Sequence, residues 1–435
     1  MRRMFRQLTV RILTWLARGV LRKYAPTVVA VTGSVGKTLT KEAIARVLVG
    51  SFSVWKSGAN LNSEFGVPLA ILGARDAPHT VREWLSAIRR GFGVRFGRPH
   101  YPALLVLEFA ADRPGDIAHL AGLARPRVGV VTAVGATHLE RLGTVEQVAR
   151  EKAALIRGLP DDGFALLSAD DALVLKMREE TSATVATFGM SKHAEIRADK
   201  VRLALTPRTL DAVQAAEPAS VTGVVVVERQ RHQLVLPGFA APYQAMSALA
   251  AIGVGRAFGI ELPAMLERLT TLRPLKGRMR LLPGINHAAI LDDSYNASPK
   301  AVTAALEVLR AFPKAKRRIA VLGEMAELGA SAQAAHQEMG RLAAQAADVL
   351  IAVGEAAKPY VDGALEAKMK GEAILTFGSP DEAGEWLREH LQQTDVVLVK
   401  GSQAARMEKA VAAALLEPDR AEEFLVRQSA YWERQ

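Results

Sequence analysis

The 435-residue chain contains no cysteine. Disulfides, zinc–thiolate sites and a cysteine nucleophile are thereby excluded, and a reducing compartment is compatible with the chain. Aromatics are scarce, at 6% of residues, although 49% of residues are apolar. That balance, rich in Ala, Val and Leu, suits an α/β enzyme. Long apolar runs are missing too: none reaches the roughly 18–20 residues a membrane span needs. Arg11, Thr14 and Arg18 interrupt the N-terminal apolar residues, so no cleavable signal is legible, and the expected compartment is the cytoplasm. Internal repeats and low-complexity tracts are also lacking. The length exceeds what one core spans, so two or three domains are expected.

Acidic residues are absent from residues 1–25, which carry Arg2, Arg3, Arg6, Arg11, Arg18, Arg22 and Lys23. These seven account for most of the net charge of +11. Phe5, Leu8, Ile12, Trp15, Leu16 and Val20 recur there at helical spacing, so residues 1–24 form a basic amphipathic helix. Residues 1–23 suit the inner face of an anionic membrane. The competing reading is a terminal helix packed on the body of the protein or on a partner. Basic–aromatic interleaving is not seen to recur, so no nucleic-acid partner is expected.

Apolar runs at Thr27–Val31, Ala103–Leu107, Val128–Thr132, Phe164–Leu167, Ala288–Leu291, Arg318–Leu322, Val349–Val353 and Val396–Val399 read as strands. Helical patterns separate most of them, which predicts βαβ units and mostly parallel sheets. Glu195–Leu236 breaks the rhythm, and Gly223–Val227 and His232–Leu236 there look like a small antiparallel sheet. Leu272–Gly277 lacks periodicity and reads as a hinge. The predicted plan is an α/β chain: a P-loop-type ATPase domain over 25–272, then a Rossmann-like domain over 273–435.

Val31-Thr-Gly-Ser-Val-Gly-Lys-Thr38 ends the first strand and opens a helix. A glycine-rich turn at a helix N-terminus exposes backbone N–H groups to a polyphosphate. Gly33, Ser34, Val35 and Gly36 would form the cradle, Lys37 would reach the outer phosphates, and the Thr38 hydroxyl would bind Mg²⁺. The spacing Gly33-x-x-Gly36-Lys37-Thr38 is two residues shorter between the glycines than the common form. An ordinary strand-to-helix turn is the plain alternative.

Other polar groups also follow strands. Glu108 ends one strand, where a carboxylate can hold Mg²⁺. His138 follows another by a short loop, and Lys152 sits on a helical stretch. Singly, each has a bland reading: capping carboxylate, loop histidine, solvated lysine. Leu291-Asp-Asp-Ser-Tyr-Asn-Ala-Ser-Pro299, Gly323-Glu-Met-Ala-Glu-Leu-Gly329 and Lys400-Gly-Ser-Gln403 end strands of the second half and imply a binding face there.

Taken in chain order, these segments resemble the Mur ligase family. The resemblance runs from about Thr27 to Val411. Its carriers are the phosphate loop, Asn60-Leu-Asn-Ser-Glu-Phe-Gly-Val-Pro68, Glu108, His138-Leu-Glu-Arg-Leu-Gly143 and Lys152. Further on come Gly277-Arg278, the Asp292–Pro299 and Gly323–Gly329 segments, Val399-Lys-Gly-Ser402 and Arg406-Met-Glu-Lys409. The Asp292–Pro299 and Gly323–Gly329 segments point to the branch that adds D-alanyl-D-alanine to a muramyl-peptide precursor.

The resemblance implies an ATP-dependent ligase of peptidoglycan synthesis. A carboxylate becomes an acyl phosphate, an amine attacks, and an amide, ADP and phosphate result. Lys37, His138, Lys152 and Arg278 would be catalytic. Thr38 and Glu108 would hold one Mg²⁺ and His138 a second, with Lys152 carbamylated and therefore anionic. Arg278 would reach the phosphates across the hinge, and Asp293 would bind the ribose. Asn60, Asn62, Asn296, Ser298, Glu324 and Glu327 would serve the substrates, and the enzyme would act as a monomer.

The chain departs from the family pattern in three places. Only about 25 residues precede the first strand, where the family usually carries its UDP-sugar-binding domain. Ala240, Ala241 and Gln244 stand where the family has His and Asn near the adenine, and Ser298 replaces an Asn. A Mur-type ligase with a different or lipid-linked acyl substrate therefore stays open. So does a nucleotide-binding partner without catalysis, against which the intact Lys37, Thr38, Glu108, His138 and Lys152 argue.

Overall fold

The structure, a computed structural model, describes residues 2–205, 219–228, 230–428 and 432, with side chains from residue 8 onward. Within these residues the chain builds two sheets. The first contains β1 (Thr27–Thr32), β2 (Val54–Lys56), β3 (Leu104–Glu108), β4 (Val128–Val131), β5 (Phe164–Ser168) and β6 (Thr184–Gly189). It continues through β7 (Ile196–Leu205), β8 (Ala219–Val227) and β9 (Gln230–Pro237) in the order β2-β3-β1-β4-β5-β6-β7-β8-β9. Strands β1–β6 pair in parallel, and their middle members are buried on both faces, as the unbroken Val/Leu runs require.

The segment expected as a small antiparallel sheet is antiparallel, but it is not a sheet of its own. β7, β8 and β9 pair antiparallel with one another, but β7 pairs in parallel with β6 through Phe188–Ile196 and Gly189–Arg197. The three strands therefore extend the main sheet. Residues 206–218 and 229 of that expectation lie outside the described residues.

The second sheet contains β10 (Arg280–Pro283), β11 (Ala289–Asp293), β12 (Arg317–Leu322), β13 (Val349–Val353), β14 (Ile374–Phe377) and β15 (Asp395–Lys400). Its order is β10-β11-β15-β12-β13-β14, parallel except for β10. Parallel pairing aligns the C-terminal ends of β11, β12 and β15, bringing Asp293, Leu322 and Lys400 to one edge.

Helix α1 (Arg2–Tyr24) corrects the expectation of a single lipid-facing stripe. Leu13, Leu16, Ala17 and Val20 are fully buried in the first core, and Ile12 packs against it. Each buried Leu or Val is worth about 1.5–3 kcal/mol, so α1 belongs to the body of the protein. Leu8 and Trp15 remain exposed. The side chains of Arg2, Arg3, Phe5 and Arg6 lie outside the described residues. Among the described residues, no helix is long and apolar enough to cross a membrane.

Candidate active site

The loop after β1 is laid against the end of β4. The Ser34 amide donates to the Ala133 carbonyl at 2.7 Å, and the Thr132 hydroxyl donates to the Val35 carbonyl at 2.6 Å. Gly33 has φ 145°, and a Cβ there would meet Thr132 Oγ1 at 2.1 Å, so only glycine fits. Gly36, at φ 82°, caps helix α2 (Lys37–Leu48) without a side-chain oxygen. The helix N-terminus thus keeps amide donors free for an anion. Lys37 Nζ folds back to donate to the carbonyls of Gly33 (2.8 Å) and Ser34 (3.2 Å). Burial lowers its pKa, Glu108 opposes that shift, and the positive Arg278 adds to it.

Glu108 ends β3, buried, where Asn62 Nδ2 donates to it at 3.1 Å. Lys41, itself buried, lies 3.9 Å from its other oxygen and donates to the Ser57 carbonyl at 2.7 Å. The helix Val145–Arg157 starts at a Thr144 capping box. Its Glu151 accepts from the amides of Gly115 (2.8 Å) and Ile117 (2.7 Å), clamping the start of the helix Asp116–Ala124. The next residue, Lys152, is only 2% exposed. Among the described residues no carboxylate lies within ion-pair distance of it. Burial first, then the positive Lys37, push its amine down to about 7.

His138 takes a left-handed conformation at φ 55°. Its Nδ1 lies 2.6 Å from a Glu327 carboxylate oxygen and 3.7 Å from one of Asp112. Burial holds the ring below its ordinary pKa, and the Glu327 and Asp112 carboxylates oppose that shift. Among the described residues, no three His, Asp or Glu side chains are grouped as a ready-made metal site.

The second sheet closes over this edge. Arg278 Nη2 comes to 3.5 Å from Thr38 Oγ1, and its guanidinium lies over the Tyr295 ring at 4.0 Å. The Tyr295 hydroxyl donates to Asn60 Oδ1 at 2.6 Å. Asp293 accepts from the Met279 amide at 3.0 Å and pairs with Lys400 at 2.5 Å. Lys400 also donates to the Asn296 carbonyl at 2.9 Å, while the Asn296 side chain accepts from the Ala297 amide. Ser298 is buried at the start of the helix Pro299–Ala311, and Glu324 is exposed. Lys37, Thr38, Glu108, His138, Lys152, Arg278, Asn60, Asn62 and Glu327 therefore share one cleft, whereas no contact ties Ser298 or Glu324 to the phosphate loop among the described residues.

Three clasps across the cleft went unread in the sequence. Lys300 donates to Asp171 (2.7 Å) and to the Val134 carbonyl (3.1 Å). Tyr295 stood in a motif without a role. Gln244 accepts from the amides of Ala240 (3.3 Å) and Ala241 (2.9 Å) and donates to the Arg278 carbonyl at 3.1 Å. The alanines and glutamine expected near the adenine are thus joined to the backbone that carries Arg278. A lone Lys or Gln carries no sequence signal for such pairing, because its partner is distant in the chain.

A glycine-rich loop at a helix N-terminus with Lys37 and Arg278 beside it, facing a second α/β sheet, is the arrangement of an enzyme that binds a nucleoside triphosphate. Residues 97–255 match the Mur ligase middle domain, and residues 277–403 match the Mur ligase glutamate ligase domain. The UDP-N-acetylmuramoyl-tripeptide–D-alanyl-D-alanine ligase of Mycobacterium tuberculosis is 32% identical over 412 residues, 90% of this chain and 73% of that protein. The Escherichia coli enzyme of the same name is 30% identical, covering 92% of this chain and 79% of its own. The crystal structure of MurF ligase from Thermotoga maritima with ADP superposes with a TM-score of 0.75 at 28% identity, over 95% of this chain and 84% of that one. The chain belongs to the Mur ligase family and is an ATP-dependent ligase.

Proposed function

We propose that the enzyme adds a D-alanyl-D-alanine-like dipeptide to a muramyl-tripeptide carboxylate in peptidoglycan synthesis, working as a monomer in the cytoplasm. The observation that carries this reading is the convergence of Lys37, Thr38, Glu108, His138 and Lys152 with Arg278 of the opposite sheet. ATP would lie on the Gly33–Thr38 cradle with Lys37 on its outer phosphates. Arg278 would neutralise charge on the transferred phosphoryl group, while Asp293 holds the ribose side. Transfer to the substrate carboxylate breaks the terminal phosphoanhydride and forms an acyl phosphate. The incoming amine then expels phosphate and forms the amide. Catalysis of this kind is positioning and charge stabilisation, worth several kcal/mol.

Oxygen donors suit Mg²⁺, and Thr38 with Glu108 would hold one ion beside the phosphates. His138, with Glu327 and Asp112 beside its Nδ1, would face a second. Lys152 fits beside it only as its carbamate. An amine with a pKa of about 7 is half unprotonated at neutral pH and can therefore add CO₂. The ions would neutralise phosphate charge. Asn60, Asn62 and Glu327, with Asn296, Ser298 and Glu324 further along, would line the substrate side. Residues 25–272 and 273–435 would move as domains about Leu272–Gly277.

The test is phosphate release from ATP with UDP-N-acetylmuramoyl-tripeptide and D-alanyl-D-alanine. Release that needs both, with an amide product, is expected. Turnover with D-alanyl-D-alanine only when the acyl donor is lipid-linked would replace the acyl substrate. No turnover with any muramyl donor would overturn the reading.

A further inference from the structure

Helix α4 (Val81–Phe96), which follows the short α3 (Gly66–Ile71), packs beside α1 and makes a second basic–aromatic stripe, which the sequence reading missed. Residues 80–100 carry Arg82, Arg89, Arg90, Arg95 and Arg98 against Glu83 alone. Together with residues 1–25 they account for the whole net charge of +11, and the rest of the chain is neutral. The outward stripe of α1 reads Leu8-Arg11-Trp15-Arg18-Arg22, and that of α4 reads Arg82-Leu85-Arg89-Phe92-Phe96, each at helical spacing and each exposed. Leu8, Trp15, Val81, Leu85, Phe92 and Phe96 are 44–76% exposed, so these two helices hold most of the exposed large hydrophobics among the described residues.

The two stripes are one rigid surface. Trp15 lies 6.1 Å from both Phe92 and Phe96. The Arg95 guanidinium stacks on Trp15 at 3.5 Å and donates to the Trp15 carbonyl at 2.6 Å. Tyr24 donates to the Val94 carbonyl at 3.1 Å, and Lys23 to those of Arg95 and Gly97. Beneath, Leu16 and Leu72 come so close to Gly91 that a Cβ there would meet each at 3.0 Å. The patch is therefore preformed on the folded body.

We propose that this α1–α4 face docks on an anionic lipid bilayer, with the ring cluster at headgroup depth and the flanking arginines on lipid phosphates. Interleaved aromatic and basic residues on adjoining exposed stripes match that boundary, where aromatic rings and cations are both favoured. A second copy of the chain is a poor occupant, because a symmetric contact would set the same arginines against one another. Single-stranded nucleic acid is also disfavoured: the Trp15 face is already covered by Arg95, and the rings pack on each other. The inference is independent of the ligase substrates.

The experiment is co-sedimentation of the full chain with phosphatidylglycerol and phosphatidylcholine vesicles, using wild type, F92S/F96S and R18E/R89E. These positions lie outside the catalytic cleft and are exposed, and an unchanged thermal melt with unchanged ATP turnover certifies the variants. Binding to phosphatidylglycerol alone, weakened by salt and at least about tenfold weaker in both variants, is the expected result. Quenching of Trp15 fluorescence by brominated acyl chains, lost in W15Y, is expected with it. Equal partitioning of wild type and variants, or equal binding to phosphatidylcholine, would overturn the proposal. So would self-association, or binding of oligonucleotide without vesicle binding, that disappears in the same variants.

Discussion

Two buried lysines, Lys152 on the helix Val145–Arg157 and Lys400 at the end of β15, lie in opposite halves of the molecule, and they are handled differently. Lys152 and Lys400 are each 2% exposed. Lys400 is paired with Asp293 at 2.5 Å and anchored on the Asn296 carbonyl. Lys152 has no such partner among the described residues, and its amine is pushed down to about 7. Desolvating a cation costs several kcal/mol unless a counter-charge offsets it. The second half has met that cost internally, so its lysine serves the fold. The first half has left it unmet at Lys152, where no carboxylate lies within ion-pair distance among the described residues, and the nearby positive Lys37 adds to the cost. An unpaired buried charge beside a phosphate cradle is thus the better marker of chemistry.

The largest effect should come from Lys37→Ala. Ligation is expected to fall by at least about 10³-fold with an unchanged circular dichroism spectrum and melt, since the lost charge acts on the transition state. Near-normal turnover in the folded variant would break the comparison.

The next test sets the lysines against each other. Lys400→Met leaves Asp293 buried without its partner and should cost about 3–5 kcal/mol in urea unfolding. Lys152→Met should instead stabilise the ligand-free protein, by on the order of 1 kcal/mol or more, while inactivating it. In Lys152→Ala, acetate or bicarbonate should restore part of the activity. In the wild type, a ¹³C carbamate resonance should appear with labelled bicarbonate. Destabilisation by Lys152→Met equal to that by Lys400→Met would erase the distinction.

A third effect lies on the hinge side. Asp292 is buried, accepts from the amides of Gly277 and Ser294, and is pushed up to about 6 by burial. Its carboxyl ordinarily titrates at 3.8, so between these values the folded state holds a proton that the unfolded state has lost. This site therefore subtracts stability as pH rises from about 4 to about 6, and the loss is complete above. Asp292→Asn should flatten that part of the stability–pH curve, read by urea unfolding at several pH values. The smallest effect is expected from Tyr295→Phe, which removes the hydroxyl bond to Asn60. It should cost about 0.5–1.5 kcal/mol, seen as a raised KM at unchanged fold.

Much of the molecule was legible in the chain. All eight strands expected from apolar runs are present, with ends shifted by no more than two residues at any one (Ala288–Leu291 is Ala289–Asp293). The missed strands are instructive. Val54–Lys56, Arg280–Pro283 and Ile374–Phe377 are short sheet edges, partly exposed, so they lack a continuous apolar run. Thr184–Gly189 holds two threonines and a glycine among its six residues, which breaks the apolar run. Glu108 and the Gly33–Thr38 loop were legible because strand, turn and helix signals are local. Asn60 was legible only as part of a motif, since its partner Tyr295 is 235 residues away.

The sequence alone determined the alternation of strands and helices, the phosphate loop and the basic character of the N-terminal helix, because each rests on periodicity or on a few adjacent residues. Tertiary structure decided what those pieces do together. It buried Leu13, Leu16, Ala17 and Val20 of a helix that read as one lipid-facing stripe, and it set α4 beside the part left exposed. It also gave Lys400 a partner and, among the described residues, gave none to Lys152. Burial and charge pairing depend on which distant segments pack against a residue, and no local pattern carries that information.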